Sequence, residues 1–538
     1  MDPKEEEDAA LRQEAGGSSD PHDDVGECGG ASFPGGWLRR LSRELHWSFV
    51  LAVVAVYGAC QGVGDAVGGV AAGYYWKDVQ RVQPSAAQFY QGFISAPWVV
   101  KPIWGLLTDV VPVAGYRRRP YFLLAGVIGL SSMLTLSLHR KLGIMPAILA
   151  LTAQSAGAAV ADVTVDALVA QNSITHQPLA ADMQSLCGFS SSVGALLGFS
   201  ISGLLVHSMG SQGALGLLSI PSALVFLAGV LLKERRVTDF DYKQVHRKFY
   251  KAIESMGATL KCAEVWRPCV YMYVSLNLSL DIQAGMFYWY TDPIVGPGFS
   301  EEFIGLVYSI GSIGSLLGVL LYQSSLKDYP FRGVLFWGQV LSSLAGMLDL
   351  IMVTRLNTRI GIPDYVFAVI DNSVSQMVGR LKWLPLLVLC SKLCPPGIEG
   401  TFYALLMSIQ NAGLLMSGWW GGLLLHLLNV TRTEFSNFWV AVLIRNISRL
   451  LPLMLLFLVP QSDQNSMLLP AEMLKDSEST EAGKAGADTA GFSILVADDS
   501  SCHALNVAIE DEMIKVVDAG TDNVELIPLM NKLQDRGS

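Results

Sequence analysis

Of 538 residues, 51% are hydrophobic and 16% charged, and the mean hydropathy is +0.39, which excludes an ordinary soluble chain. The net charge of −10 belongs to the ends: residues 1–36 hold ten acids against two bases and residues 461–538 fifteen against five, leaving the middle at +8. The basic residues of the middle sit in short connections between apolar runs, so nothing in the charge points to a nucleic-acid partner.

The chain opens MDPKEEEDAALRQEAGG, and its first apolar run begins near Trp47. Such an acidic start is neither a secretory signal nor an Arg-rich transit peptide, and it favours a plasma or vacuolar membrane over a plastid envelope. Segments long enough to cross about 30 Å of hydrocarbon then follow in order. They lie near 47–75, 86–108, 120–138, 144–171, 184–207, 214–232, 267–290, 302–322, 333–353, 363–390, 401–428 and 437–459. The expected fold is an all-α membrane protein with twelve transmembrane helices in two six-helix pseudo-repeats, in which the long Gly-rich first, fourth and tenth spans are tilted or bent.

Orientation follows from lysine and arginine. With both termini in the cytosol, the cytosolic connections hold 18 basic residues against 7 on the other side. The expected organisation is a cytosolic tail (1–46), a first bundle (47–232), a cytosolic linker (233–266), a second bundle (267–460) and a second cytosolic tail (461–538). A weak echo relates the bundles: AAGYYWKD (residues 71–78) and AGMFYWYTD (residues 284–292) each close an aromatic cluster with an aspartate. Parallel repeats of this kind suit halves that rock around a midplane site. Small-xxx-small pairs at Gly69/Gly73, Gly194/Gly198 and Gly314/Gly318 mark expected close helix contacts. The 8 cysteines show neither zinc nor redox spacing, so no metal site and no cofactor are expected.

Ionisable residues inside spans need a partner or a watery cavity, since an unpaired lysine in hydrocarbon costs at least ~2.5 kcal/mol. They are Asp65, Lys101, Asp162, Asp166, Asp281, Asp349, Asp371, Arg380, Lys382, Arg445 and Arg449. Asp162 and Asp166 are four apart and share a helix face. In span ten, Arg380 is the expected cavity residue and Lys382, nearer the cytosolic end, is expected to snorkel. Arg445 and Arg449 are expected to be structural. Lys101 has two readings: a cavity residue balanced by carboxylates and cargo, or a permanent contact with an aspartate that fastens helices together.

Near the membrane edge, GLLTD followed by GYRRRP, with Gly105, Asp109, Gly115, Arg117, Arg118 and Arg119, resembles the cytosolic loop between spans two and three of the major facilitator superfamily. There the glycine allows close helix approach and the charges make state-dependent contacts, a cytosolic gate. Two longer strings, WVVKPIWGLLTDVVPVAGYRRRPYF (residues 98–122) and KLCPPGIEGTFYALLMSI (residues 392–409), resemble the folate-biopterin transporter branch of that superfamily. The resemblance spans roughly residues 47–460 and implies twelve helices in two bundles with a folate or pterin as cargo; the expected function is a proton-coupled symporter. Gln171 and Asn172 stand where members of that branch usually carry an acid followed by a base.

A pterin ring offers an N–H and an amino group side by side, suited to one carboxylate and to a flat aromatic face. Asp65, Asp162 or Asp281 is therefore expected to grip the ring, with Trp98 and Trp104 stacking near it. Lys101 and Arg380 are expected to receive the tail carboxylates, and Asp166 to exchange a proton. The rival functions are a transporter of another small organic anion and a non-transporting receptor or scaffold working through its tails. An enzyme is not expected, because no nucleophile with a base, metal cluster or phosphate loop stands out.

Overall fold

The computed structural model describes residues 41–461 apart from 42–43, 140, 177–178, 235, 237–242 and 395–398. The acidic tails, including the short apolar runs SILVADD and VELIPLM, lie outside the described residues. No β-strand occurs among the described residues; an isolated bridge joins Val113 to Tyr116. Among the described residues seven helical stretches are long and apolar enough to cross a membrane, and one of them, Asp182–Leu231, is 50 residues long.

In chain order the helices are α1 (Trp47–Val79), α2 (Pro84–Val99), α3 (Lys101–Val110), α4 (Arg119–Leu138), α5 (Ile144–Thr175), α6 (Ala180–Leu217) and α7 (Ser219–Leu231). After α8 (Lys243–Leu260) come α9 (Ala263–Asn277), α10 (Gln283–Tyr290), α11 (Glu301–Leu321), α12 (Phe331–Val353), α13 (Asp364–Lys392), α14 (Glu399–Leu427) and α15 (Phe438–Ser448). The fifth and sixth spans run together in α6 and separate at Gly210, whose φ of 74° is open to glycine without strain.

Two spans are broken where the sequence reading had them continuous. The second stops at Val100 between α2 and α3, because the run PWVVKP places Pro102 early in the new helix, where its missing N–H costs nothing. The carbonyls this break frees do not face lipid: Asn411 Nδ2 donates to Trp98 O at 3.1 Å and Ser408 Oγ donates to Val99 O, both from α14. The seventh breaks over 278–282 between α9 and α10, with Leu280 at φ 44°, and its amide at Asp281 donates to Ser417 Oγ at 3.0 Å. The first span departs from α-geometry in another way, through wide π-turns over Val54–Gly64 and Tyr75–Val79.

Glycine sets how closely the helices approach. A Cβ on Gly62 of α1 would stand 2.7 Å from Gly194 Cα of α6, closer than real Cβ contacts allow, and one on Gly194 would strike the Gly58 carbonyl. Gly314 and Gly318 of α11 lie in the same way against the backbone of α13. Gly69 has nothing within 4 Å, so that member of its expected pair is not a contact. Gly194→Leu is expected to force α1 off α6 at about 1–3 kcal/mol, read as a lower melting temperature in detergent; an unchanged melting temperature would remove the contact from the account.

The echo segments meet each other. Tyr74 and Phe287 pack edge to face at 4.8 Å, Gly73 sits under the Phe287 ring, and Lys77 Nζ donates to Thr291 O at 2.9 Å. Further contacts at this end, opposite the arginine loop, join Tyr288 OH to Val82 O at 3.1 Å and the Arg432 amide to Gln83 Oε1 at 3.0 Å. Glu302 accepts from or pairs with His207 at 3.1 Å, linking α11 to α6. Deeper in, Ser200 and Ser309 hydroxyls lie 2.8 Å apart, and the Trp419 ring of α14 stacks on Phe89 of α2 at 5.4 Å. The first six spans and the last six thus meet at that end and, deeper in, where α6 faces α11 and α2 faces α14.

Candidate functional site

The break at Val100 makes Lys101 the first residue of α3 and points its ammonium at α5. It forms an ion pair with Asp162 and lies 3.5 Å from Asp166. Both acids belong to one face of α5, as their spacing requires. The π-turn of α1 supplies the remaining partners: Gln61 Nε2 donates to Asp162 Oδ1 at 2.5 Å, and the Tyr57 hydroxyl donates to Asp166. A wide turn of this kind inside an α-helix is a recurrent device at functional sites.

The two acids differ in their water. The Asp162 side chain is 5% exposed and that of Lys101 14%, whereas that of Asp166 is 45% exposed. Asp162 is therefore the dry counter-ion, and Asp166 presents its carboxylate to solvent while still tied to Lys101 and Tyr57. Asp65, one turn past Gln61, is exposed, lies within electrostatic reach of Asp162, and makes no hydrogen bond among the described residues. Trp98 places its ring 5.8 Å from the Lys101 ammonium. The Trp104 indole donates to Pro97 O at 3.1 Å and so props the break.

Asp281 and Arg380 stand apart from this cluster. In the broken seventh span, Asp281 accepts from Gln88 Nε2 of α2 at 3.0 Å and from the Gln283 amide at 2.9 Å. The other end of the Gln88 side chain accepts from the Ala284 amide at 2.9 Å, so one glutamine holds both sides of the break. Arg380 is exposed and donates from Nε to Ser315 Oγ at 2.6 Å; no carboxylate pairs with it among the described residues. Lys382 does not snorkel as expected. It is 9% exposed, because its stretch of α13 lies on Gly338 of α12 rather than at an edge.

A second buried charge cluster lies in the last six spans. Arg445 of α15 forms an ion pair with Asp349 of α12, as its structural reading expects. Arg449 donates to Ser342 O at 3.1 Å. Asp371 of α13 is 1% exposed beside this pair.

The arginine loop is built around an acid that the sequence reading missed. Glu234, just beyond α7, accepts from the backbone amides of Arg117 (2.7 Å), Arg118 (3.0 Å) and Arg119 (3.0 Å) at the start of α4. This is a carboxylate on a helix N-terminus. Arg119 reaches back to the carbonyls of Gly229 and Val230, and Arg118 donates to Thr108 Oγ1 at 3.3 Å. Gly115 at φ 79° makes the tight turn, and a Cβ on Gly105 would stand 3.4 Å from the Val163 side chain of α5. The side chain of Asp109 lies outside the described residues. Glu234→Ala is expected to lower stability by about 1–2 kcal/mol, the usual loss for a helix N-cap, measurable as a fall in melting temperature; no change would mean that water serves those amides equally well.

A sequence profile described as the BT1 family matches residues 61–473. The chain belongs to the BT1 family. Within that family it is 57% identical over 461 residues to "Probable folate-biopterin transporter 2" of Arabidopsis thaliana, covering 86% of this chain and 92% of that protein. It is 33% identical over 416 residues to "Folate-biopterin transporter" of Synechocystis sp., covering 77% and 82%. Among solved structures, this BT1 family chain matches the nucleoside transporter NupG (TM-score 0.59, 12% identity, 76% of this chain and 98% of that one). It also matches a D-xylose-proton symporter (TM-score 0.55, 14% identity, 78% and 98%). Both likenesses concern the fold, which is the twelve-helix major facilitator fold with two six-helix halves.

Proposed function

We infer that this chain is a secondary transporter of folate or pterin compounds that works by alternating access. The observation that carries the reading is the Lys101–Asp162–Asp166 cluster: a charged triad joining the second and fourth spans, dry at Asp162 and wet at Asp166. The names of the relatives at 57% and 33% identity supply the cargo class. With both termini in the cytosol, the sealed end is the outer one, and the conformation is inward-facing. Water then reaches Asp166 and Asp65 from the arginine-loop side.

In this reading Asp162 is the fixed counter-ion of Lys101. Asp65 and Asp166 offer carboxylates to the paired N–H donors of a pterin ring, with Trp98 as a flat wall. Asp166 exchanges a proton as the halves rock, since of the two acids beside Lys101 it is the one open to solvent. Arg380, with no carboxylate paired to it among the described residues, receives an anionic tail. Proteoliposome uptake of labelled folate and labelled biopterin, with and without an inward proton gradient, tests the reading. Saturable uptake of either that is abolished by Asp166→Asn is the expected result. Uptake of neither, with uptake of an unrelated organic anion, would move the chain to the rival class.

A further inference from the structure

Far from the Lys101 cluster, at the end opposite the arginine loop, three groups able to ligate a metal converge on the seam between the halves. His207 stands on α6, in the first six spans, while Glu301 and Glu302 open α11, in the last six. One ligand atom from each lies within 4.8 Å of the other two. The His207 Nδ1 is 3.1 Å from Glu302 Oε1 and 3.6 Å from Glu301 Oε2. Zinc bonds of about 2.0–2.2 Å, set tetrahedrally, put neighbouring ligand atoms about 3.3–3.6 Å apart, so two edges of such a site are already close to size. The backbone holds the ligands there. A Cβ on Gly203, one turn before His207, would stand 2.7 Å from Glu302 Cα, so α6 and α11 touch main chain to main chain beside them. A further group points to an occupant. Tyr74 of α1 is 5% exposed, its hydroxyl has no hydrogen-bond partner among the described residues, and it lies within electrostatic reach of Glu301 and Glu302.

We propose that His207, Glu301 and Glu302 form a binding site for a divalent transition metal, zinc above all, which clamps the two halves together at this end. An imidazole nitrogen with two carboxylates is a donor set for zinc, whereas magnesium and calcium take oxygen ligands. Two carboxylates and a neutral imidazole also cancel the charge of the ion. A water in the open fourth position would give the Tyr74 hydroxyl its missing partner. His207 and Glu302 are exposed, so an ion reaches them directly from solution. None of the three ligands is a cysteine, which is why cysteine spacing carries no sign of the site. Because the ligands come from both halves, the complete site exists only while this end is closed, and a bound ion stabilises the closed form by mass action.

The test uses the purified full-length chain without a histidine tag, and its first arm does not depend on the transport reading. Cobalt, a coloured substitute for zinc, is expected to give the intense visible absorption of a tetrahedral ion, and added zinc should bleach it. His207→Ala and Glu302→Gln should each remove that absorption and weaken zinc binding by about a hundredfold or more, since even changes outside the ligand set cost about 10- to 100-fold. Both side chains are exposed, so the variants should fold, and if one does not, the other decides. No tetrahedral spectrum in the parent, or an unchanged spectrum in a folded variant, overturns the proposal. The second arm rests on the transport reading. In proteoliposomes, zinc on the His207 side should slow the uptake of labelled folate or biopterin by the parent, and His207→Ala should relieve the block. Equal inhibition of parent and variant would overturn the clamp. If neither cargo moves even in the parent, the transport reading fails, and the cobalt spectrum still decides the metal site.

Discussion

Lys101→Met is expected to destabilise the protein by about 3–5 kcal/mol, the usual consequence of removing one partner from a buried ion pair. The loss is that large because Asp162 keeps only the Gln61 amide, while Asp166 keeps only Tyr57 and water. Two like charges four residues apart on α5 then repel in a medium that screens them poorly. Uptake of folate and biopterin should both fall. Adding Asp162→Asn to Lys101→Met removes the uncompensated charge and should restore most of the melting temperature, since replacing both members of a buried pair is often close to neutral. It should not restore uptake. A single variant as stable as the parent would show that Lys101 is not held by the acids. A double variant that transports normally would make the pair a mere fastener.

The second large effect is expected at Arg445. Arg445→Met leaves the buried Asp349 carboxylate without its cation. The expected loss is again about 3–5 kcal/mol. Here the compensating change is Asp349→Asn, because it removes the carboxylate that the lost guanidinium leaves uncompensated. Solubilised protein should therefore aggregate on warming for Arg445→Met and recover for Arg445→Met with Asp349→Asn. If the double variant melts as low as the single one, the guanidinium's packing between α12 and α15 matters more than its charge.

Much of the architecture was legible because lipid is an unforgiving solvent. The all-helical fold and its apolar spans follow from hydropathy alone. The 162/166 spacing placed both acids on one face, and the structure places Lys101 beside them. The partners of these groups were harder to read. Tyr57 and Gln61 reach α5 because of a π-turn, and no composition signal distinguishes that turn from ordinary helix. Gln88 and Glu234 are single polar residues whose roles depend on distant chain, the broken seventh span for one and the start of α4 for the other. The break at Val100 did have a signal, the flanking prolines in PWVVKP, whereas the break over 278–282 has none as plain. Lys382 was misplaced because snorkelling was judged from its position along the helix, and the neighbouring helix, which only the fold reveals, closes over it.

The grip of Gln88 on the broken seventh span has a kinetic consequence. One side chain meets the Asp281 carboxylate with its nitrogen and the Ala284 amide with its oxygen, so parting the two bundles there severs both bonds in a single event. A half-parted seam would strand an anion and a bare helix start before water could enter. Intermediate openings are thereby disfavoured, and this seam behaves as a snap closure instead of a slowly widening crack.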